Sequence, residues 1–435
     1  MADRFTLTQG VQIGKESTHG TAVPATMRLK AATLAPRPMG AFKEYRPQGL
    51  KRKAVSALAK EWTEANLSGL ANYTELGILL ESLVGNRATT AEAGGVYEHA
   101  WISNRQEPDA MATLTCEIGS ADGCERFAYG LVSALGFKMT RDDVEISGHL
   151  YGGKLQTSTL DSISLTQGPN EVQTITLTGS PSAGSFTLSF NEATTAPIDH
   201  AASGSTMQSA LEALSTVGSG NVQVTGASGG PYTATFVGAL GHRAVALLEA
   251  DGSGLTGGGV SVALTTQGGL TEHANAPLLP GDVNLYLADS PSALGGGGTQ
   301  MLRAFDASWS FGERAKPFWT QDASLGAFSG YAETEPKEML DLLLAADAQG
   351  VALLSTARSG ATKYLRIAAA SKALTIGSSG TPYRFQLDAA VKVSAFKEFK
   401  DEQGVYCVGY ELEVVDDAAW GKSYVFSLRN GVAAY

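Results

Sequence analysis

Residues 170–190 read NEVQTITLTGSPSAGSFTLSF. Two runs of alternating character, TITLT and SFTLSF, flank a short Gly/Ser/Pro segment, which is the pattern of a self-contained β-hairpin. The stretch holds no Lys, Arg, Cys or Trp. It opens a segment, 168–269, whose only Lys or Arg is Arg243, against Glu171, Glu192, Asp199, Glu212, Glu249 and Asp251. The segment echoes itself, since VTGASGGPYTATF repeats the layout of LTGSPSAGSFTLSF. Between the two, STMQSALEALSTVG puts Met207, Ala210, Leu211 and Leu214 on one helical face, with Ser205 as a candidate N-cap and Gly218 at the end. A stretch of about 100 residues with its own alternation and its own helix can form an independent small core. Similar Thr-Gln-Gly turns, TQGPN and TQGGL, stand at its two ends. Domain termini are often close together, so this layout suits an insertion.

Working outward, the flanks resemble each other. WTEANLSGLANYTELGILLESLVG before the insert matches WTQDASLGAFSGYAETEPKEMLDLLLAAD after it in layout: a Trp-Thr strand, small residues, a Tyr, then a Leu-rich helix. The first helix places Leu76, Leu79, Leu80 and Leu83 on one face, with Thr74 as N-cap and Gly85 as stop. The second places Met339, Leu342 and Leu343 at helical spacing after Pro336. Upstream of each lies an expected long loop. In the first, 36–54, Pro36, Pro38 and Pro47 argue against regular structure; the second, 288–303, is Gly-rich. Downstream, ERFAYGLVSALGFKM resembles YRFQLDAAVKVSAF. Three matches in one order indicate a duplicated fold of about 165 residues per copy. Strands are expected at VYEHAWI, ATLTCEIG, FAYGLVSALGFKMT and VEISGHLYGG, and at LPGDVNLYLA in the second flank. The organisation is therefore lobe 1 at 1–167, an insert at 168–269 and lobe 2 at 270–435, in a mainly β chain.

The bulk numbers agree. The chain has 435 residues, too many for one ordinary core, and 51 are Gly, which mark turns between short β-branched runs. Its net charge of −11 is the opposite of what a nucleic-acid-gripping surface needs. No run of about 18 apolar residues predicts a membrane-spanning helix, so no membrane insertion is expected. MADRFTLTQG lacks an apolar h-region, so no secretory signal is expected. Cys116, Cys124 and Cys407 are the three cysteines. Cys116 and Cys124 have hairpin spacing, but nothing forces a bridge, and reduced, partly buried thiols are the expectation.

No constellation for catalysis emerges. GVQIGKEST and WGKSY fail as phosphate loops on glycine spacing, and GLVSALG lacks the central Ser of a nucleophile elbow. His19, His99, His149, His200, His242 and His273 are scattered without metal-ligand spacing and are expected to be surface or partly buried residues. DGSGLTGGG at 251–259 is one turn and not a calcium-binding repeat. Asp142–Asp143 and Asp416–Asp417 fall at turns. Phe186, Phe190, Tyr232 and Phe236 lie in strand patterns and are expected in a core, not as sugar platforms. No cofactor and no metal are implied. The basic run Lys43, Arg46, Lys51, Arg52 and Lys53 is the one charge feature out of step with the chain. It admits three readings: a loop docking on an acidic neighbour, a solvated loop, or a short nucleic-acid contact.

QIGKESTHGTAVPATMRL, EWTEANLSGLANYTELGILLESLVG, RFAYGLVSALGFKMTRDDVEISGHLYGG and KDEQGVYCVGYELEVVDD together resemble the tail tube (major tail) proteins of long-tailed bacteriophages. The insert resembles a domain inserted or appended in phage tail proteins. This resemblance implies two tandem β-sandwich/barrel lobes, each with a flanking helix. It implies a virion protein, assembled in the host cytoplasm, whose inner sheets join edge to edge into a closed barrel that conducts DNA without binding it. With two lobes per chain, a homotrimer forms a pseudo-sixfold ring; a homohexamer is the alternative. The long loops would reach the adjacent ring, where Lys51, Arg52 and Lys53 meet acidic groups. Further partners would be the tape measure protein and tail-end proteins. The insert would project outward, with weak host-surface contact open to it. The competing readings are a surface-binding adhesin, another tube-fold protein such as a terminator or hub, and, with no motif in support, a β-domain hydrolase.

Overall fold

A computed structural model of the chain describes residues 9–120, 122–295, 298–321 and 327–435. The start of MADRFTLTQG, residues 296–297 of the Gly-rich segment, and 322–326 of the second Trp-Thr segment lie outside the described residues. The architecture is mainly β, with three α-helices among the described residues. The chain divides into two compact units, Met1–Leu165 with His273–Tyr435, and Thr166–Glu272.

In the larger unit each flank contributes one set of four strands and a helix. The first flank supplies β1 (Ala32–Tyr45), β2 (Val55–Leu70), α1 (Leu76–Leu83), β3 (Gly123–Met139) and β4 (Val144–Gly152). The second supplies β5 (Ala304–Gly312), β6 (Lys337–Ala345), α2 (Ala348–Ser359), β7 (Pro382–Phe396) and β8 (Val405–Val414). Pairing runs β1–β2–β4–β3 in the first set and β5–β6–β8–β7 in the second, antiparallel throughout. β3 also pairs β5, so the eight strands form one continuous run. The likeness of the two sets extends to local detail. β3 shifts register at Ser133 and β7 at Ser394, each inside the same Val-Ser-Ala triplet. A bulge there lets each long strand bend out of the run. Their first parts leave it to pair elsewhere, β3 with Leu114–Ser120, and β7 with Lys363–Thr375 and Tyr424–Asn430. At the turn into each helix an Asn or Asp does the same work: Asn72 Oδ1 accepts from Thr74 N and Asp347 Oδ1 from Gln349 N, both at 3.0 Å.

The two sets share a core. Phe137 of the first lies 5.5 Å from Trp309 and 5.3 Å from Phe385 of the second, and Trp309 meets Phe426 edge-on at 4.8 Å. All four rings are buried. Val96–Ile102 of the first flank also pairs Tyr424–Asn430 of the second. The eight-stranded run is open: among the described residues β1 pairs only β2, and β7 beyond Val391 pairs only β8. A single chain therefore makes no closed barrel.

Several expectations need correction. Of residues 36–54 only 46–54 are loop, because Pro36 and Pro38 lie inside β1, opposite Ala65 and Thr63 of β2, and β1 runs to Tyr45. An edge strand tolerates proline where the missing N–H would face away from its single partner. The Leu-rich run after Pro336 is strand β6, and the helix begins only at Ala348. Leu340, Leu342 and Leu344 are buried at a spacing of two, which a strand satisfies as well as a helix satisfies Met339, Leu342 and Leu343. Helix α1 is not half-exposed: all of Leu76–Leu83 is buried, its N-cap is Glu75 and not Thr74, and Gly85 follows at φ +66. Residues 288–303 fold back through a 3-10 turn, Pro291–Gly295, and a short strand, Thr299–Gln300, onto Val283–Ala288. His99 is fully buried, donating or accepting at Thr89 Oγ1 (2.9 Å) and Val432 O (2.8 Å).

In the smaller unit the stretch 170–190 is not a hairpin. Val172–Thr178 pairs Tyr232–Phe236 and Gly259–Thr266, whereas Ala183–Phe190 joins a different sheet of short strands. The Gly/Ser/Pro segment turns a corner between two sheets. The alternation survives because Ile175 on one sheet and Phe186, Leu188 and Phe190 on the other face a shared core with Tyr232 and Phe236. The echo at 222–236 is a true hairpin, Val222–Gly226 with Tyr232–Phe236. The helix, Gly204–Glu212, is capped by Ser203 and not Ser205, with Ser203 Oγ accepting from Thr206 N. The unit's two ends meet: Gly269 N donates to Pro169 O at 2.9 Å, and a Cβ on Gly168 would lie 1.9 Å from the Gly269 carbonyl carbon. The two Thr-Gln-Gly turns thus sit side by side.

Candidate functional site

Among the described residues no cluster of His, Cys, Asp and Glu has metal-binding geometry, and no helix is long and apolar enough to cross a membrane. Cys116, Cys124 and Cys407 are buried and in no disulfide, and burial pushes the Cys116 thiol up. A cleft of about 470 Å³ lined by His19, Tyr129, Lys154, Gln156 and Phe328 holds rings stacked on rings and no acid–base pair. The candidate site is instead a set of surfaces on the larger unit.

The first surface is the outward face of the eight-stranded run. Thr33, Ser68, Ser147, Gly136 and Ser310 stand opposite one another across five strands, a row of short side chains. On the same face Glu64, Glu145, Asp306, Asp341, Glu411 and Glu413 are interspersed with Arg37, Lys138, Lys337, Lys392 and Lys397, six acids against five cations. Lys397 Nζ reaches Asp341 Oδ1 at 2.5 Å. The opposite parity carries the core, so strand alternation makes this wall largely polar, with a slight excess of acid.

The second is an arm. β1 beyond Met39 and β2 before Glu61 form a two-stranded ribbon in which Phe42, Tyr45, Leu50, Val55 and Leu58 are exposed. The five sequence-selected cations lie on it. Lys43 is in β1, while Arg46, Lys51, Arg52 and Lys53 lie in the turn between the strands. Lys53 is paired with Glu44; Lys43, Arg46, Lys51 and Arg52 make no ion pair among the described residues. The basic run was legible in the sequence. The ribbon beneath it was hidden by the prolines.

The third is a buried charge cluster at the tip of the β5–β6 hairpin. Arg314, 3% exposed, pairs with Asp109 and with Glu333 (3.1 Å), and its N–H donates to Ser133 O at 2.9 Å. Glu338 lies nearby, and burial pushes its carboxyl up to about 7 although Arg314 pulls the other way. Burial likewise raises Asp109. No motif in the sequence announces this cluster, because its members come from separate segments.

No protein-family model matches the chain. A stretch of 86 residues is 44% identical to the tail sheath protein of Mycobacterium phage Bxz1. That match covers 20% of this chain and 14% of the sheath protein. Over that stretch the chain is similar to a structural protein of a phage tail.

Proposed function

We propose that the chain is a structural subunit of a phage tail, specifically of the tail tube. The observation that carries this reading is the eight-stranded run. It is built twice from one strand order, presents a polar, acid-biased wall, and is left open at both edges. Rings of such runs would enclose a lumen whose negative wall repels DNA phosphates and lets the duplex slide. Three chains would give a pseudo-sixfold ring, and a six-chain ring is the alternative. The arm, with Lys43, Arg46, Lys51 and Arg52 free of ion pairs, would reach the adjacent ring. The insert's paired ends let it be carried outside the wall without disturbing the run. No acid–base or metal constellation supports an enzyme.

A sheath role is the second reading, favoured by the match to a tail sheath protein. The matched stretch is short enough to be a module shared between otherwise different tail proteins, and the unit Thr166–Glu272 is long enough to hold it. Negative-stain microscopy of purified protein decides. Tubes of stacked rings with peripheral knobs are expected, and protein that stays monomeric at high concentration overturns the reading. Deleting 168–269 should remove the knobs and leave the tubes.

A further inference from the structure

We propose that residues 431–435 form a detachable strap, and that the socket beneath its Tyr435 ring is a binding site for a phenolic ring. Strap and socket both lie within the larger unit, so the inference stands apart from the tube reading.

The strap follows the strand Tyr424–Asn430 and joins no strand or helix of its own. Among the described residues no backbone–backbone hydrogen bond holds 431–435. Side chains hold it instead. Asn430 Oδ1 accepts from Val432 N at 2.9 Å, His99 Nε2 donates to Val432 O at 2.8 Å, and Lys15 Nζ donates to Tyr435 O at 3.1 Å. Ala433 and Ala434, between these anchors, are exposed. A segment without ladder bonds opens at lower cost than the strands beneath it.

Under the strap the fold encloses one ring. The floor is Gly77, in the first turn of α1, where a Cβ would lie 2.1 Å from Tyr435 Cζ. Glycine weakens a helix, and here only glycine leaves room for the ring. His99 meets the ring edge-on at 5.2 Å, and Trp101 flanks it at 6.4 Å. The Arg87 guanidinium stands 5.7 Å from the ring centroid, a cation over an aromatic face. At the far end the Tyr435 hydroxyl donates to Thr74 O at 3.1 Å and accepts from Asn430 Nδ2 at 2.6 Å.

The socket is fixed by contacts that do not involve the plug. Trp101 Nε1 donates to Glu81 Oε2 at 3.2 Å, and Arg87 pairs with the same carboxylate oxygen at 3.4 Å. Asn430, fully buried, also donates from Nδ2 to Tyr73 O at 2.7 Å. When the Tyr435 ring leaves, these bonds remain, and one buried Asn430 N–H loses its acceptor. A phenol restores that acceptor, whereas a ring without a hydroxyl does not.

Thermal unfolding of Tyr435→Ala in the full chain tests the site. The midpoint should fall by several degrees, and p-cresol, which is the tyrosine side chain alone, should recover part of the loss in a saturable way. Toluene, the same ring without the hydroxyl, should recover much less. The parent, with its socket filled, should respond to neither, and Tyr435→Ala combined with Gly77→Ala should lose the response to p-cresol. Should Tyr435→Ala prove insoluble, the same comparison is read as the yield of refolded protein with and without p-cresol. A chain stopped after Asn430 tests the strap. The peptide Gly-Val-Ala-Ala-Tyr should raise its midpoint at lower concentration than p-cresol does, because the peptide also returns an amide to Asn430 and a carbonyl to His99. A Tyr435→Ala midpoint unmoved by p-cresol, or moved as far by toluene, overturns the phenol site. A peptide no more potent than p-cresol overturns the strap.

Discussion

The hairpins β1–β2 and β5–β6 hold the same place in the two halves of the larger unit, yet their tips meet opposite surroundings. Beyond β5–β6 the chain continues as a second strand pair, Ala315–Phe318 with Gly330–Glu333, that lies on the first half of the molecule. Trp319 meets Trp62 edge-on at 5.5 Å beneath the Lys60 ammonium at 4.4 Å, and Phe328 meets Tyr129 at 4.6 Å. Among the described residues the tip of β1–β2 makes no ring contact or ion pair outside its own ribbon; Phe42 and Tyr45 are 64% and 67% exposed. An isolated two-stranded ribbon is marginal in water. One arm therefore shows what such a hairpin needs, and the other shows that a single chain does not supply it.

The sharpest way to break this comparison is to uncouple the packed arm. Arg314 and Asp109 pair with both side chains buried, and Arg314 also reaches the more exposed Glu333. Arg314→Leu leaves the two carboxylates without their counter-charge, and removing one partner of a buried pair costs about 3–5 kcal/mol. Thermal unfolding of the larger unit should drop accordingly at neutral pH, with part of the loss recovered in acid as Asp109, already raised by burial, takes up a proton. A variant as stable as the parent would mean that the packed arm does not depend on its buried charge.

A smaller effect follows from Glu338 beside the same arm. Burial raises its carboxyl to about 7 from a starting value of 4.5. The folded protein holds this proton more tightly than the unfolded chain does. Its contribution to stability is therefore complete below the unfolded value and is lost as pH rises through the folded one. The midpoint of unfolding should fall between about pH 5 and pH 8. Glu338→Gln, neutral throughout, should flatten that decline without changing the acid-side midpoint by more than a few degrees. An unchanged pH profile would show that Glu338 titrates normally.

How much of this was legible beforehand depends on which physical signal each element carries. The Val-Ser-Ala triplets at 132–134 and 393–395 were visible as a sequence match, and they mark the two bulges on which the likeness of the halves turns. The Trp-Thr match misled: Ala65 corresponds to Leu340, so Trp62 and Trp319 are not in equivalent places. The run KEMLDLLLA satisfied both periods at once, and only the Asp347 cap just beyond it shows where the helix begins. For 170–190, alternation gave both strands correctly but could not say that they pair with distant segments instead of each other. The basic residues of the arm were plain, whereas the open edges were not. An edge is defined by what fails to pair, and no local pattern records that.

The smallest expected effect on the single chain is also the one that tests the comparison most directly. Phe42→Ser and Tyr45→Ser remove rings that are mostly in water, and such surface changes shift stability by about 0.5 kcal/mol or less. Trp319→Ala, in the packed arm, takes away a ring held between Trp62 and Lys60 and should cost more, about 1–2 kcal/mol. If the exposed arm finds its cover on another copy, the order reverses once assembly is the readout. Phe42→Ser with Tyr45→Ser should then abolish tubes or large oligomers while leaving the melting curve of the dilute chain in place. Trp319→Ala should lower the melting curve yet still assemble below its midpoint. Charge reversal at Lys51 and Arg52 to Glu should act like the arm variants, with assembly weakened most at low ionic strength, where opposite charges on the receiving surface are least screened. Arm variants that assemble like the parent would mean that the ribbon stays bare in the assembled state, and the two arms would then differ in kind and not merely in partner.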